Sequence, residues 1–226
     1  MEYSVAIPAY NASRTIEETL CSVMAQTVRP CEIIVVDDGS TDQTGEIALS
    51  VSDLIRVIRQ ENTGCGRACN KAIRETRASI IATTDADDLW VPTKMEKQLK
   101  VLSEAGLGTL VFAHHRQFEH GSSAYANGKV RDGMTRSDLV FYREDFEKIG
   151  DIIDPPGGRG DMVDWLARAR EAGCHFEVLN EVLVLRRIIS GSLSYGRDPL
   201  KDRGYLAVAY RAMQRRKQRD QGEPKS

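Results

Sequence analysis

The sequence has no apolar run long enough to cross a bilayer, so no membrane-spanning helix is expected in it. It has no excess of one charge sign. With 31 Lys and Arg against 33 Asp and Glu, the formal net charge is -2, so the whole-chain charge makes no case for nucleic acid or an anionic membrane as a partner. Aromatic residues make up only 6%. The five cysteines (Cys21, Cys31, Cys65, Cys69 and Cys174) are odd in number and form no CxxC pair. A disulfide framework is therefore not expected, and a reducing, cytoplasmic setting is. Cys65 and Cys69 lie one helical turn apart with no His nearby, a poor zinc set. The N-terminus enters a strand at once, without a signal-peptide pattern. What remains is ordinary for a folded chain: 226 residues, 41% hydrophobic and 28% charged, enough for one substantial core.

Apolar runs and helical stripes alternate through the first hundred residues. Strands are expected at 3–8, 32–37, 55–59 and 79–84, the second an unbroken Ile-Ile-Val-Val run of the kind covered on both faces. Helices are expected at about 13–25 with Asn11 or Ser13 as cap, at 44–50, from Gly64 onward, and at 93–105. Four strand–helix alternations predict right-handed βαβ units and an α/β fold with an open, mostly parallel sheet flanked by helices. In such sheets ligands sit outside the carboxyl ends of the strands. Those ends carry Pro8-Ala9-Tyr10, Asp37-Asp38 and Asp85-Ala86-Asp87.

The second half is less regular. A long strand is expected at 108–119, then a Gly- and Ser-rich loop or lid at 120–136. A short strand should cover 138–142 and a short helix 143–149. After the Pro155-Pro156-Gly157-Gly158 turn come a helix at 161–172 ended by Gly173, one or two strands within 175–187, and a helix over 200–218 with a basic end. The domain reading is one unit: a nucleotide-side half over 1–105, an acceptor-side half over 106–200, and a C-terminal helix and tail over 200–226.

Thr84-Asp85-Ala86-Asp87-Asp88 packs three carboxylates into five residues. An extended chain would point Asp85 and Asp87 the same way. Like charges that close are costly unless a cation neutralises them, and a hard divalent ion completed by water and phosphate oxygens would do so. The competing reading is a polar turn in which Asp88 caps the next helix. Gly64-Cys65-Gly66-Arg67 formally begins a GxG pattern, but it follows the third strand and its sixth residue is Cys69, which argues against a dinucleotide fingerprint.

Taken in order, Val5-Ala-Ile-Pro-Ala-Tyr-Asn11, Ile34-Val-Val-Asp-Asp-Gly-Ser-Thr-Asp42, Asn62-Thr-Gly64 with Asn70, and Asp85-Ala-Asp87-Asp88 resemble the family 2 glycosyltransferases of GT-A fold. The resemblance is good over the first 100 residues. It continues more loosely through Tyr142–Asp154 and Gly160-Asp161-Met-Val-Asp164-Trp165. It implies inverting transfer of a sugar from a nucleotide diphosphate sugar to an acceptor hydroxyl, with Mn²⁺ or Mg²⁺. Pro8, Ala9 and Tyr10 would lie beside the base and ribose. Asp38 would accept the imide N–H of the base, which favours a UDP- or TDP-sugar. Gly64, Arg67 and Arg186 or Arg187 would lie near the phosphates. Asp87 would bind the ion directly, with Asp85 on the ribose or a metal-bound water and Ala86 between them. The base would be Asp161 or Asp164, since this chain has Asp161-Met162 where relatives often show Glu-Asp. Asp161 as a plain helix cap is the alternative. Trp165 either floors an acceptor site or belongs to the core. Ile189 stands where relatives often carry a His that completes the metal shell.

That departure keeps open a nucleotide-sugar-binding protein impaired in catalysis. A nucleotidyltransferase is disfavoured by the lack of a Gly- and Lys/Arg-rich loop after the first strand. The acceptor (saccharide, lipid-linked or peptide) and the oligomeric state, including a homo-oligomer, are left open. His114 and His115, adjacent in a strand, are expected to face opposite ways and so not to share a metal.

Overall fold

Successive strands of the first half bury both of their faces, and this forces a layered arrangement. The computed structural model describes residues 1–124, 128–193, 195–196 and 198–222, with side chains to 219. In chain order the elements are β1 (Tyr3–Ala9), α1 (Ile16–Met24), β2 (Glu32–Asp37), α2 (Thr44–Val51), β3 (Ile55–Arg59), α3 (Cys65–Glu75), β4 (Ile80–Thr83), β5 (Leu89–Trp90), α4 (Lys94–Ala105), β6 (Thr109–Glu119), β7 (Val130–Arg131), a 3₁₀ turn (Arg136–Asp138), β8 (Val140–Tyr142), α5 (Arg143–Ile149), α6 (Asp161–Glu171), β9 (His175–Ile188) and α7 (Pro199–Gly222).

The sheet runs β3-β2-β1-β4-β8-β6-β9-β5, with β7 on β6. The first four strands in that order are mutually parallel, as the alternation requires. Beyond β4 the sheet is mixed: β8 is antiparallel to both neighbours, and β6 and β9 run parallel. Val5, Ile7, Ile33 and Val35 face one layer with Ile16, Leu20, Met95 and Leu99 from α1 and α4. Ala6, Ile34 and Val36 face the other with Ala68, Ile73, Phe141 and Trp165. This is the two-residue period of a strand buried on both sides.

The second half departs from its sequence pattern in instructive ways. β9 is one continuous strand of 14 residues, not two short ones. Its register against β6 slips between Ala113 and His114 and again between His114 and His115, and extra residues in a strand bend it. The two histidines, adjacent in β6, have separate partners. His114 Nε2 lies 3.5 Å from Asp132, and His115 is buried with Nδ1 3.2 Å from Asp138.

The region read as a loop or lid includes residues 125–127, outside the described residues. Its later part packs onto the sheet through β7 and a bond from the Gln117 N–H to the Lys129 carbonyl at 2.9 Å. The expected caps on α1 are also absent. Thr15 stands at that terminus without a side-chain cap. Asn11 is drawn away because its Oδ1 accepts the Thr41 N–H at 2.9 Å, tying the loop after β1 to the loop after β2.

Lys94 opens α4 fully buried, with Nζ 3.9 Å from the centre of the Trp90 ring and 3.7 Å from Met95 Sδ. Burial pushes its ammonium down to about 7, against a smaller opposing pull from Asp138. Between pH 7 and 10.5 the unfolded chain therefore holds a proton that the folded chain does not, so stability should rise with pH across that window. Below pH 7 the cost of the buried charge is constant. Lys94→Met should flatten this dependence and raise stability at pH 7 by about 1–3 kcal/mol. Thermal unfolding of both proteins from pH 6.5 to 9.5 is the measurement.

Candidate active site

The carboxyl ends of β1, β2 and β4 open onto one cleft of about 1590 Å³. Its walls include Pro8, Ala9, Tyr10, Asp38, Gly64, Asp85, Ala86 and Asp87 from the first half, and Asp161, Arg186 and Ile189 from the second. Most residues singled out by sequence converge there. Arg67 does not: it is exposed at the start of α3 and absent from the walls.

The GxG segment has a structural explanation. The Asp154 carboxylate accepts the Gly66 N–H at 2.7 Å and the Arg67 N–H at 3.0 Å, filling the N-terminus of α3. A Cβ on Gly64 would lie 2.8 Å from Asp154 Oδ2, and one on Gly66 would lie 2.9 Å from Oδ1. These glycines make room for an internal carboxylate at a positive helix end. Asp38 is buried at the cleft edge. Its Oδ1 accepts Gln60 Nε2 at 2.7 Å and the Thr63 N–H at 2.9 Å, and its Oδ2 accepts the Gly64 N–H at 2.9 Å. Asp37 braces its own turn by accepting the Ser40 N–H.

The three aspartates of the acidic stretch occupy three different environments. Asp85 is paired with the buried guanidinium of Arg136 at 2.6 Å. Asp88 does not cap the next helix, which begins after Thr93. It is buried, accepting the Ser137 hydroxyl at 2.6 Å and the Arg187 N–H at 2.9 Å. Burial first, then the charges of Asp87 and Asp85, push its carboxyl well above the usual range. Asp87 is pushed up to about 6 by burial and by Asp85, with Arg186 and Arg187 offsetting only part. A cation beside Asp87 would relieve that strain, as expected of a carboxylate that helps hold a divalent ion.

Among the described residues no group of three or more His, Cys, Asp and Glu side chains surrounds a common point. With Asp85 tied to Arg136 and Ile189 on the wall, the donor set reduces to Asp87. That suits an ion completed by phosphate oxygens rather than one caged by protein.

Arg136 was not legible as a site residue. It lies in the segment read as a loop, yet its two amino groups reach Asp85 and Asp161, and one lies 3.2 Å from Cys65 Sγ. Burial keeps the Cys65 thiol well above its usual range despite that neighbour, so it is not poised as a nucleophile. The neighbouring residues fix this arrangement. Thr135 and Asp138 form a reciprocal capping box, and Ser137 Oγ also accepts the Asp85 N–H at 3.0 Å.

The two candidate bases separate cleanly. Asp161 is the first residue of α6; Gly160 holds the cap position, and no side chain caps the helix. Its carboxylate lines the cleft and pairs with Arg136. Asp164 is fully buried on the far side, bonded to Arg168 at 2.9 Å and Arg215 at 3.0 Å, and does not line the cleft. Trp165 is core: it is buried, and its indole N–H donates to the Gly150 carbonyl at 2.8 Å. Sequence alone left Arg186 and Arg187 equivalent. Arg187 is structural, bonded to the Asp87 carbonyl at 2.8 Å, paired with Glu18 and stacked on Phe118 at 4.7 Å. Arg186 lines the cleft without such bonds among the described residues.

A family model described as glycosyl transferase family 2 matches residues 4–159. The chain belongs to glycosyl transferase family 2. Among curated relatives of this family 2 chain, an uncharacterized glycosyltransferase of Rickettsia typhi is 42% identical over 101 residues. That match covers 45% of the chain and 32% of the relative, so the chain matches only about a third of that protein's length. TuaG of Bacillus subtilis strain 168, provisionally named a teichuronic acid biosynthesis glycosyltransferase, is 29% identical over 204 residues, covering 84% of the chain and 81% of TuaG. WfgD of Escherichia coli, named a UDP-Glc:alpha-D-GlcNAc-diphosphoundecaprenol beta-1,3-glucosyltransferase, is 36% identical over 101 residues, covering 44% of the chain and 40% of WfgD. Among solved structures, S. aureus TarS 1-349 in complex with UDP-GlcNAc superposes with a TM-score of 0.73 at 18% identity, over 93% of this chain and 66% of that one. The fold is therefore GT-A.

Removing the guanidinium of Arg136 would leave Asp85 and Asp161 facing each other without a counter-charge. Arg136→Met should cost about 3–5 kcal/mol at neutral pH, read by urea unfolding, and Arg136→Lys should recover part of it.

Proposed function

We propose that the chain is an inverting, metal-assisted glycosyltransferase that takes its sugar from a UDP-sugar. The observation that carries this reading is the single cleft in which the ends of three parallel strands meet Asp161 across Arg136. TarS in its UDP and UDP-GlcNAc complexes, and the UDP-Glc in the name of WfgD, support the choice of donor.

In this mechanism Pro8, Ala9 and Tyr10 form the wall for base and ribose. Asp38 holds the 60–64 loop and offers its remaining acceptor capacity to the base. Arg186 attracts the diphosphate. A bound Mn²⁺ or Mg²⁺, held by Asp87 with the donor's phosphates, would supply neutralisation of charge on the leaving diphosphate. Asp85 stays with Arg136 and helps fix Asp161. Asp161 takes the proton from the acceptor hydroxyl as that oxygen attacks the anomeric carbon. Any carboxylate is a weak base for a hydroxyl, so proton transfer is concerted with attack. Positioning provides much of the acceleration.

Incubation with a panel of UDP- and TDP-sugars and Mn²⁺, scored by nucleotide release, tests the activity. No release and no binding with any donor would sink it. Binding without release would instead favour the impaired reading that Ile189 suggests. Asp161→Asn should lower kcat by about 10²–10⁴-fold with little loss of donor affinity. Asp164→Asn should spare kcat per folded molecule and lower stability by about 3 kcal/mol. Titration of Mn²⁺ with and without UDP should show binding strengthened by the diphosphate and lost in Asp87→Ala. Equally tight binding to the free protein would contradict the single-carboxylate site.

A further inference from the structure

The C-terminal helix α7 is inside out. Its inner side, against α6, carries Gly204, Val208 and Arg215. Val208 is buried, and Arg215 bonds Glu171 at 2.8 Å and Asp164 at 3.0 Å. A Cβ at Gly204 would lie 1.9 Å from the Arg159 carbonyl oxygen, so the helix start is pressed onto the 157–160 turn. The opposite side carries Leu206, Tyr210 and Met213 at helical spacing, exposed to 75%, 63% and 58%. Large apolar groups face outward while an arginine with two acidic partners faces inward, the reverse of a helix ending in water.

The outward side is also positive. From Arg203 to Arg219 the sequence holds six basic residues and no acidic one, although Arg215 faces inward and Arg219 lies 3.8 Å from Glu171. Arg203, Arg216 and Lys217 are exposed. The surface continues to the cleft: Tyr205 and Leu206 stand on its lip together with Leu193 and Val163. No described helix is long and apolar enough to cross a membrane.

We propose that the outer face of α7 docks on an anionic lipid bilayer surface. Leu206, Tyr210 and Met213 would sit at the headgroup–acyl boundary, and Arg203, Arg216 and Lys217 would meet lipid phosphates. The side chains of Arg and Lys can extend their charge to the headgroups while their stems cover apolar surface. A second copy of the chain would cover the apolar stripe, but it would bring Arg203, Arg216 and Lys217 of both copies to one contact, so charge complementarity selects the anionic surface. Taken with the transferase reading, on which this consequence rests, the docked cleft mouth would meet an acceptor carried by a lipid.

Flotation of the full chain with vesicles of phosphatidylcholine, with and without about 30% phosphatidylglycerol, tests the docking. It is scored without donor, so loss of transfer activity does not enter the readout. The native chain should partition at least about tenfold more onto anionic vesicles, and high salt should weaken this. Leu206→Glu with Met213→Glu, and separately Arg216→Glu with Lys217→Glu, should each reduce it by about tenfold. All four positions face outward, and an unchanged melting temperature verifies the fold. Absence of flotation, or flotation unchanged in both double variants, overturns the proposal. So does a concentration-dependent dimer in sedimentation that the Leu206→Glu, Met213→Glu variant abolishes, which would give the face to a second copy.

Discussion

The buried guanidinium of Arg136 is the interaction on which the cleft depends. Parallel strands end on one side of the sheet, so any carboxylates at those ends crowd together. Asp85 arrives from β4 and Asp161 from α6, and among the described residues Arg136 is the cation paired with both. A single arginine with two parallel donors satisfies both and sets their spacing. The segment carrying it is fixed in turn. Thr83 Oγ1 donates to the Arg136 carbonyl at 2.6 Å, and Gln98 Nε2 donates to the Asp138 carbonyl at 2.7 Å. Asp138 closes a capping box and holds His115. The joint between the two halves of the sheet and the joint between two cleft carboxylates are the same few residues.

That arrangement explains why three aspartates so close in sequence do different things. Asp85 is neutralised by Arg136, Asp88 is buried among hydrogen-bond donors, and Asp87 is left with incomplete compensation. Burial and the neighbouring Asp85 make Asp87 costly to hold charged. Ile189, on the same wall, adds no ligating side chain.

The second half of the chain follows different rules from the first. Bulges bend β9 around β6. Arg159, itself buried, bonds the Leu193 carbonyl at 2.6 Å, the Tyr195 carbonyl at 2.9 Å and Asp202 at 2.6 Å, fastening the cleft rim to the start of α7. The basic C-terminal helix reads in sequence as a solvated face, with an acidic partner or lipid surface as the lesser alternative, and its inner face is held by ion pairs with α6.

The sequence by itself determined the four parallel strands of the first half, the strand ends that form the cleft, and the family, while their β3-β2-β1-β4 order came from the structure. Local signals suffice for these: unbroken apolar strands, helical stripes, and motifs that keep their order along the chain. It also placed α5 over Arg143–Ile149 and began α6 at Asp161. Tertiary structure decided the rest, because each remaining choice rested on a partner distant in sequence. Asp161 faces the cleft and Asp164 the interior, a difference set by Arg136 on one side and by Arg168 and Arg215 on the other. Gly64 and Gly66 serve Asp154, some 88 residues away. Arg187 is committed to Glu18 and Arg186 is not, although they are neighbours in one strand. Arg136 itself sits in a polar, aperiodic stretch whose composition signals only a loop. Its role exists only where β4, α3 and α6 come together, since a guanidinium's function is set by the charges the fold brings to it.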